Sequence, residues 1–150
     1  MISKKLIDDF LEGGSFAIAG ISRTGKKFGN VILKELTKKG YTLYPVHPSA
    51  DTIDGFKCYK NISSIPKIVK SLIIVVKPGQ SINIIRESAQ SGFKKVWLQQ
   101  GSSSTEVLNL CSELGIEAIH GECILMFTPQ LKFPHNLHKY IWKLLGKYPR

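Results

Sequence analysis

The sequence is short of acidic residues, of long apolar stretches and of paired cysteines. Asp and Glu total 11 against 21 Lys and Arg, a formal net charge of +10, and no acid follows Lys132. Such a surface attracts polyanions, so charge alone leaves nucleic acid, an acidic membrane and a multiply phosphorylated small molecule open. The clearest uninterrupted apolar run, Leu72 to Val76, is far too short to span a bilayer. Met1 to Asp9 carries charges where a secretion signal needs its apolar stretch. Cys58, Cys111 and Cys123 are scattered, with no Cys-x-x-Cys pair. That spacing argues against a disulfide framework or a zinc site, and for reduced thiols in a cytoplasmic protein.

What is present is an alternation of strand and helix signals. With 150 residues, 43% of them hydrophobic, the chain can build one core, and a single domain over 1–150 is expected. Phe16 to Ala19 is a short apolar run fit for a strand buried on both faces. A helix is expected from about Lys27 to Lys39, on the spacing of Phe28, Val31, Ile32 and Leu36, with Gly40 as its stop. Tyr41 to Val46 reads as the second strand, Cys58-Tyr59 as a short strand, and Ile62 to Pro66 as a turn or a single helical turn. Leu72 to Val76 is the next strand, broken by Lys77-Pro78-Gly79. Ser81 is placed to cap a helix reaching Gln90. Lys95 to Leu98 is a strand, and Ser103 with Glu106 matches a capping box before a helix ending at Gly115. Ile116 to Ile119 is the last strand. An amphipathic helix at about 135–146 is expected to fold back on the domain or on a second copy, which leaves homodimer formation open. Helix, glycine, strand recurs at Gly40, Gly92 and Gly115. The fold class is therefore α/β, a Rossmann-like three-layer sandwich with a mostly parallel sheet. Ligands in such sheets sit beyond the carboxyl ends of the strands. That singles out the loops at 20–29, 47–50, 77–79 and 99–103.

The first loop carries the most chemistry. A glycine straight after a buried strand lets backbone amides approach a phosphate, and the helix N-terminus behind it adds its positive end. Ser22, Thr24, Arg23, Lys26 and Lys27 add hydroxyls and charge. The run from Gly20 to Lys27 nearly matches the Walker A spacing, but Lys27 stands where Ser or Thr would hold magnesium, which excludes that ATPase and GTPase site. The G-x-G-x-x-G fingerprint is also broken, at Ser22. The second strand ends Pro45-Val46-His47-Pro48, with no acid for the ribose hydroxyls of NAD. A neutral or basic group there suits a ligand with an added phosphate, coenzyme A or, as the alternative, NADP.

Several marks occur in order along the chain. They are Ala19 to Arg23, Lys27-Phe28-Gly29-Asn30, Tyr44 to Pro48, Gly55 to Tyr59, Val76-Lys77-Pro78, Trp97 to Gly101 and Gly121 to Ile124. In this order the sequence resembles the small stand-alone CoA-binding proteins related to the N-terminal domain of the succinyl-CoA synthetase alpha subunit. The resemblance runs from about Phe10 to Cys123. It departs from the family at Ile21, commonly Ala, at His47, commonly Asn, and at Lys77, commonly small or apolar. It implies a Rossmann-like fold that binds CoA or acyl-CoA, and no reaction. The candidate contacts are Gly20, Ile21, Ser22, Arg23, Thr24, Lys26, Phe28, Gly29, His47, Pro48, Val76, Lys77, Pro78 and Gln100. No nucleophile–base pair or paired carboxylates stand near these loops, so the expected role is a carrier, sensor or regulatory module rather than an enzyme. An NAD(P)- or CoA-using enzyme of unknown substrate is the alternative. A specific nucleic-acid binder ranks below it, for want of a recognition helix, zinc finger or paired strand aromatics. No membrane partner is expected. Cys123 is read as a buried cysteine in preference to a thiol that pairs with CoA.

Overall fold

The computed structural model describes residues 2–128. Its framework is five parallel strands: β1 (Ser15–Ala19), β2 (Thr42–Val46), β5 (Ser71–Ile74), β6 (Lys95–Leu98) and β7 (Glu117–His120), in the order β2-β1-β5-β6-β7. Helices α1 (Lys4–Glu12), α2 (Phe28–Lys38), α3 (Pro78–Gln90) and α4 (Thr105–Glu113) cover it. A two-residue pair, β3 (Thr52–Ile53) and β4 (Phe56–Lys57), forms a separate hairpin.

Strand periodicity divides the core in two. Phe16, Ile18, Ile73 and Trp97 point to one face, where Ile7 and Phe10 of α1 and Ile32, Leu33 and Leu36 of α2 meet them. Ala17, Ala19, Leu72, Ile74, Val96 and Leu98 point to the other, against Ile85 of α3 and Val107 and Cys111 of α4. Alternate side chains of one strand thus serve opposite layers, and both faces must be apolar. This explains why these strands read as continuous apolar runs.

A parallel bridge pairs Val46 with Tyr59, held by Tyr59 N–H to the Pro45 carbonyl and His47 N–H to the Tyr59 carbonyl, each 2.8 Å. The expected strand at Cys58-Tyr59 is thus a single bridge on the outer edge of β2. Pro45, which lacks an N–H, is tolerated there because its carbonyl side faces that reduced neighbour.

Several local expectations are corrected. Pro78 does not merely break β5 but occupies the first position of α3, where its missing N–H costs nothing. Ser81 therefore lies inside the helix, its buried hydroxyl donating to the Ser102 carbonyl at 2.8 Å. The cap of α4 is Ser104, whose hydroxyl accepts from Val107 N–H at 3.2 Å, so Ser103 and Glu106 are not a reciprocal box. The buried stripe of α2 runs through Gly29, Asn30, Ile32, Leu33 and Leu36, while Phe28 and Val31 are 41% and 40% exposed. Helix α1 and the β3–β4 hairpin are additions. The expected helix at about 135–146 lies outside the described residues. No helix among those described is long and apolar enough to cross a membrane.

Candidate functional site

The chain leaves β1 for β2 on one side of the sheet and later continues from β5 on the other. The loops after β1 and β5 diverge, and a crevice opens between them. Its floor depends on two glycines. Gly20 has φ +112°, and a Cβ there would run into the Val75 carbonyl; a Cβ on Gly29 would run into the Gly20 carbonyl. Bare backbone is what lets the end of β1, the end of β5 and the first turn of α2 meet.

The loop from Ser22 to Lys27 is shaped from within. Fully buried Asn30 accepts from Ser22 N–H at 2.9 Å and donates from Nδ2 to the Ser22 carbonyl at 2.9 Å and to Asp54 Oδ2 at 3.1 Å. The Ser22 and Thr24 hydroxyls are 2.7 Å apart, and Thr24 N–H donates to Ser22 Oγ at 3.1 Å. Arg23 Nη2 donates to Ser49 Oγ at 2.6 Å, so the loops after β1 and β2 are joined directly. Its partner is a hydroxyl, not a surface carboxylate. Among the described residues Lys26, Lys27 and Lys77 make no ion pair.

Two depressions adjoin over the crossover. The smaller, about 430 Å³, is lined by Gly20, Ile21, Lys27, His47, Pro48, Lys60, Asn61, Val76, Gln80 and Glu87, among others. The larger, about 840 Å³, is lined by Lys27, Phe28, Val75, Val76, Lys77, Gly79, Gln80, Gln100, Gly101 and Ser102, without a carboxylate. Lys27, Val76 and Gln80 are common to both. Glu87, the single acid of the smaller one, accepts from Ile62 N–H at 2.9 Å and Ser63 N–H at 3.4 Å, capping the turn at 62–64.

Of the residues expected from sequence, Gly20, Ile21, His47, Pro48, Val76, Phe28, Lys77 and Gln100 line this double crevice. Ser22, Arg23, Thr24 and Lys26 belong to the first loop but not to either lining. Gly29 lies beneath it, and Pro78 starts α3. Gln100 Nε2 donates to the Gly121 carbonyl at 3.3 Å, and buried Gln99 accepts from Ile124 N–H at 3.2 Å. The linings add Lys60, Asn61 and Gln80 among others, while Ser49 of the expected 47–50 loop joins the site by holding Arg23. Gln80 was legible only with α3 starting at Pro78.

His47 Nδ1 accepts from Ser49 N–H at 3.2 Å and Ala50 N–H at 3.0 Å. Two donors facing one nitrogen require its lone pair, so the proton sits on Nε2. Burial, then the Arg23, Lys60 and Lys27 charges, hold its pKa below the ordinary histidine value.

All three cysteines are buried, and desolvation pushes each thiol up, Cys111 to about 11. A mixed disulfide at Cys123 would need an exposed thiolate. A thiol reagent near neutral pH should therefore label these cysteines only slowly in the folded protein and fast once it is unfolded by denaturant. Rapid labelling of Cys123 in the native state would contradict its burial.

Residues 14–129 match the family model of the CoA binding domain. The chain belongs to this family. Among curated relatives, ADP-forming acetate–CoA ligase I of Archaeoglobus fulgidus is 26% identical over 125 residues, covering 77% of this chain. Isoform II of that organism is 37% identical over 94 residues, covering 61%. This CoA-binding domain chain spans only 18% and 14% of those two ligases. Among solved structures, a conserved hypothetical protein of Pyrococcus furiosus is 38% identical with a TM-score of 0.73, covering 76% of this chain and 98% of its own.

Proposed function

We propose that the double crevice binds coenzyme A or an acyl-CoA, and that the protein acts as a CoA-binding carrier, sensor or regulatory module. The observation that carries this reading is the shared wall of Lys27, Val76 and Gln80 between two depressions, beside a loop rich in cations. A ligand with a polyanionic head and a long neutral arm matches that shape. Ser22 and Arg23, with Lys26 or Lys27, contact the pyrophosphate. His47 and Pro48 border the nucleotide end. The arm passes Val76 and reaches Phe28, Lys77 and Gln100. Membership of the CoA-binding domain family supports the choice of ligand. The ligases' chemistry is not carried over, because this chain corresponds to a small part of their length.

Titration calorimetry with CoA, acetyl-CoA, NADP, NAD and ATP tests the reading. CoA or its thioester should bind tightest; tighter binding of NAD or NADP would overturn it. The remaining surface charge predicts weak, sequence-independent DNA binding that disappears as salt rises, measurable by gel shift. Selective binding that survives physiological salt would instead favour a nucleic-acid function.

A further inference from the structure

The loop after β2 holds a device that the sequence pattern did not disclose. His47 ends the strand, its N–H fixed on the Tyr59 carbonyl at 2.8 Å. Its Nδ1 then accepts two backbone N–H groups, of Ser49 at 3.2 Å and Ala50 at 3.0 Å, and closes the turn. Ser49 leaves that turn with both oxygens engaged by cations. Its hydroxyl accepts from Arg23 Nη2 at 2.6 Å, and its carbonyl from Lys60 Nζ at 3.2 Å. Lys60 is anchored in turn on Asp51 Oδ1 at 2.7 Å. Arg23 therefore does not wave in solvent. One of its five N–H groups is given to Ser49, and among the described residues the others make no hydrogen bond and can meet an anion.

We propose that His47 and Ser49 are positioning residues for the anionic ligand: the imidazole folds the 47–50 turn, and the turn's serine holds the Arg23 guanidinium beside the first loop. This rests on the assignment of Arg23 to the ligand phosphates made above. A freely rotating Arg would lose its rotamer freedom on binding, an entropic cost. Seating it beforehand removes part of that cost. The relay works in one protonation state only. A second proton on the ring must go to Nδ1, where it would face the Ser49 and Ala50 N–H groups and open the turn. The charges around the ring are Arg23 from the first loop, Lys27 at the start of α2 and Lys60 after Tyr59, with Asp51 paired to Lys60. Burial, then the Arg23, Lys60 and Lys27 charges, keep the ring neutral near neutral pH. His47 thus supports the fold and the turn above the ordinary histidine range, and that support is lost as pH falls through its lowered pKa.

The variants His47→Asn, His47→Ala and Ser49→Ala separate positioning from direct contact. Asn offers Oδ1 as a non-titrating acceptor for the same two N–H groups. CoA affinity is measured calorimetrically between about pH 5 and 8, the range over which histidine titrates. Near neutral pH His47→Ala should bind CoA about tenfold more weakly than wild type, a gap that closes in acid, and Ser49→Ala several-fold more weakly, the scale of one lost hydrogen bond. His47→Asn should recover most of the affinity that His47→Ala loses near neutral pH. Because the ligand's phosphomonoester also titrates near about pH 6, the difference between wild type and His47→Asn isolates the ring. Wild type should fall below His47→Asn as pH drops. Wild type binding tighter than His47→Asn in acid would mean that imidazolium contacts phosphate directly, and would overturn the proposal. Nitrogen NMR of the free protein supplies a readout independent of CoA. It should show the Nε2–H tautomer with a depressed pKa; an Nδ1–H tautomer would sink the relay by itself. If wild type binds no CoA while NMR shows the expected tautomer, the ligand assignment fails and the turn stands.

Discussion

Gly20→Ala should cost about 3–5 kcal/mol of stability, combining overpacking with a backbone angle that L residues avoid. The added methyl would meet the Val75 carbonyl, and φ +112° offers it no relief. Neither atom can step aside, because Val75 N–H donates to the Ala19 carbonyl at 2.8 Å and ties the two strand ends together. In a protein of this length the melting temperature should fall on the order of 10 °C. Gly29→Ala isolates the steric part. Its backbone is helical, so alanine would ordinarily stabilise by about 0.4–1 kcal/mol, yet the methyl would strike the Gly20 carbonyl. A net loss of about 2 kcal/mol is expected. Gly79→Ala in α3 is the control: nothing lies within 4 Å of its added Cβ, and it should stabilise by a few tenths to about 1 kcal/mol. Thermal denaturation of the three variants tests the order. A Gly20→Ala protein as stable as wild type would remove the close approach of β1, β5 and α2 that shapes the crevice floor.

The sheet was readable because each central strand is apolar on both faces, and each helix–strand junction ends on glycine. Lys95–Leu98 came through with the boundaries expected. What failed were features set by long-range partners. Ser81 looks like a helix start from sequence, but Pro78 begins α3 and the Ser102 carbonyl, 21 residues away, takes the Ser81 hydroxyl. Val31 fits a helical stripe with Ile32 and Leu36, yet the stripe that meets the sheet keeps those two and takes Leu33 instead of Val31. The packing need at Gly20, whose missing Cβ accommodates Val75, is likewise invisible in the local sequence. The β3–β4 hairpin is two residues a side, too short for any periodicity to announce it. Its turn residue Asp54, at φ +52°, reaches Asn30 and Lys34 on α2, contacts no local pattern can reveal.

The same distinction applies within the site. Loops at the ends of β1, β2, β5 and β6 were placed correctly as a set, since topology alone sends them to one side. The division of labour among their side chains was not visible. Asn30 appeared only as part of a family mark, and in the structure it holds both backbone groups of Ser22. Ser22 N–H is thereby committed internally, which leaves its hydroxyl, Arg23 and the lysines as the loop's candidates for an anion.

Arg23→Ala should weaken CoA binding by about ten- to a hundredfold, the equivalent of one charge-assisted contact of about 1.5–3 kcal/mol. The side chain is exposed and its one hydrogen bond among the described residues is to the Ser49 hydroxyl, so the folded protein should lose little stability. Arg23→Lys should recover only part of the affinity. A lysine keeps the charge but not the planar fork, which can hold Ser49 with one N–H and meet phosphate oxygens with others. Lys26→Ala should cost less than Arg23→Ala, because an exposed lysine that makes no ion pair among the described residues is a screened point charge. Raising salt should shrink the Lys26 effect more than the Arg23 effect, since a seated guanidinium acts through directed hydrogen bonds. Calorimetry at two ionic strengths, with melting curves for each variant, reads all of this. If Arg23→Ala binds CoA as wild type does, the loop after β1 is a structural turn bridged to Ser49, and the phosphates must be sought around Lys27, Lys60 and the smaller depression instead.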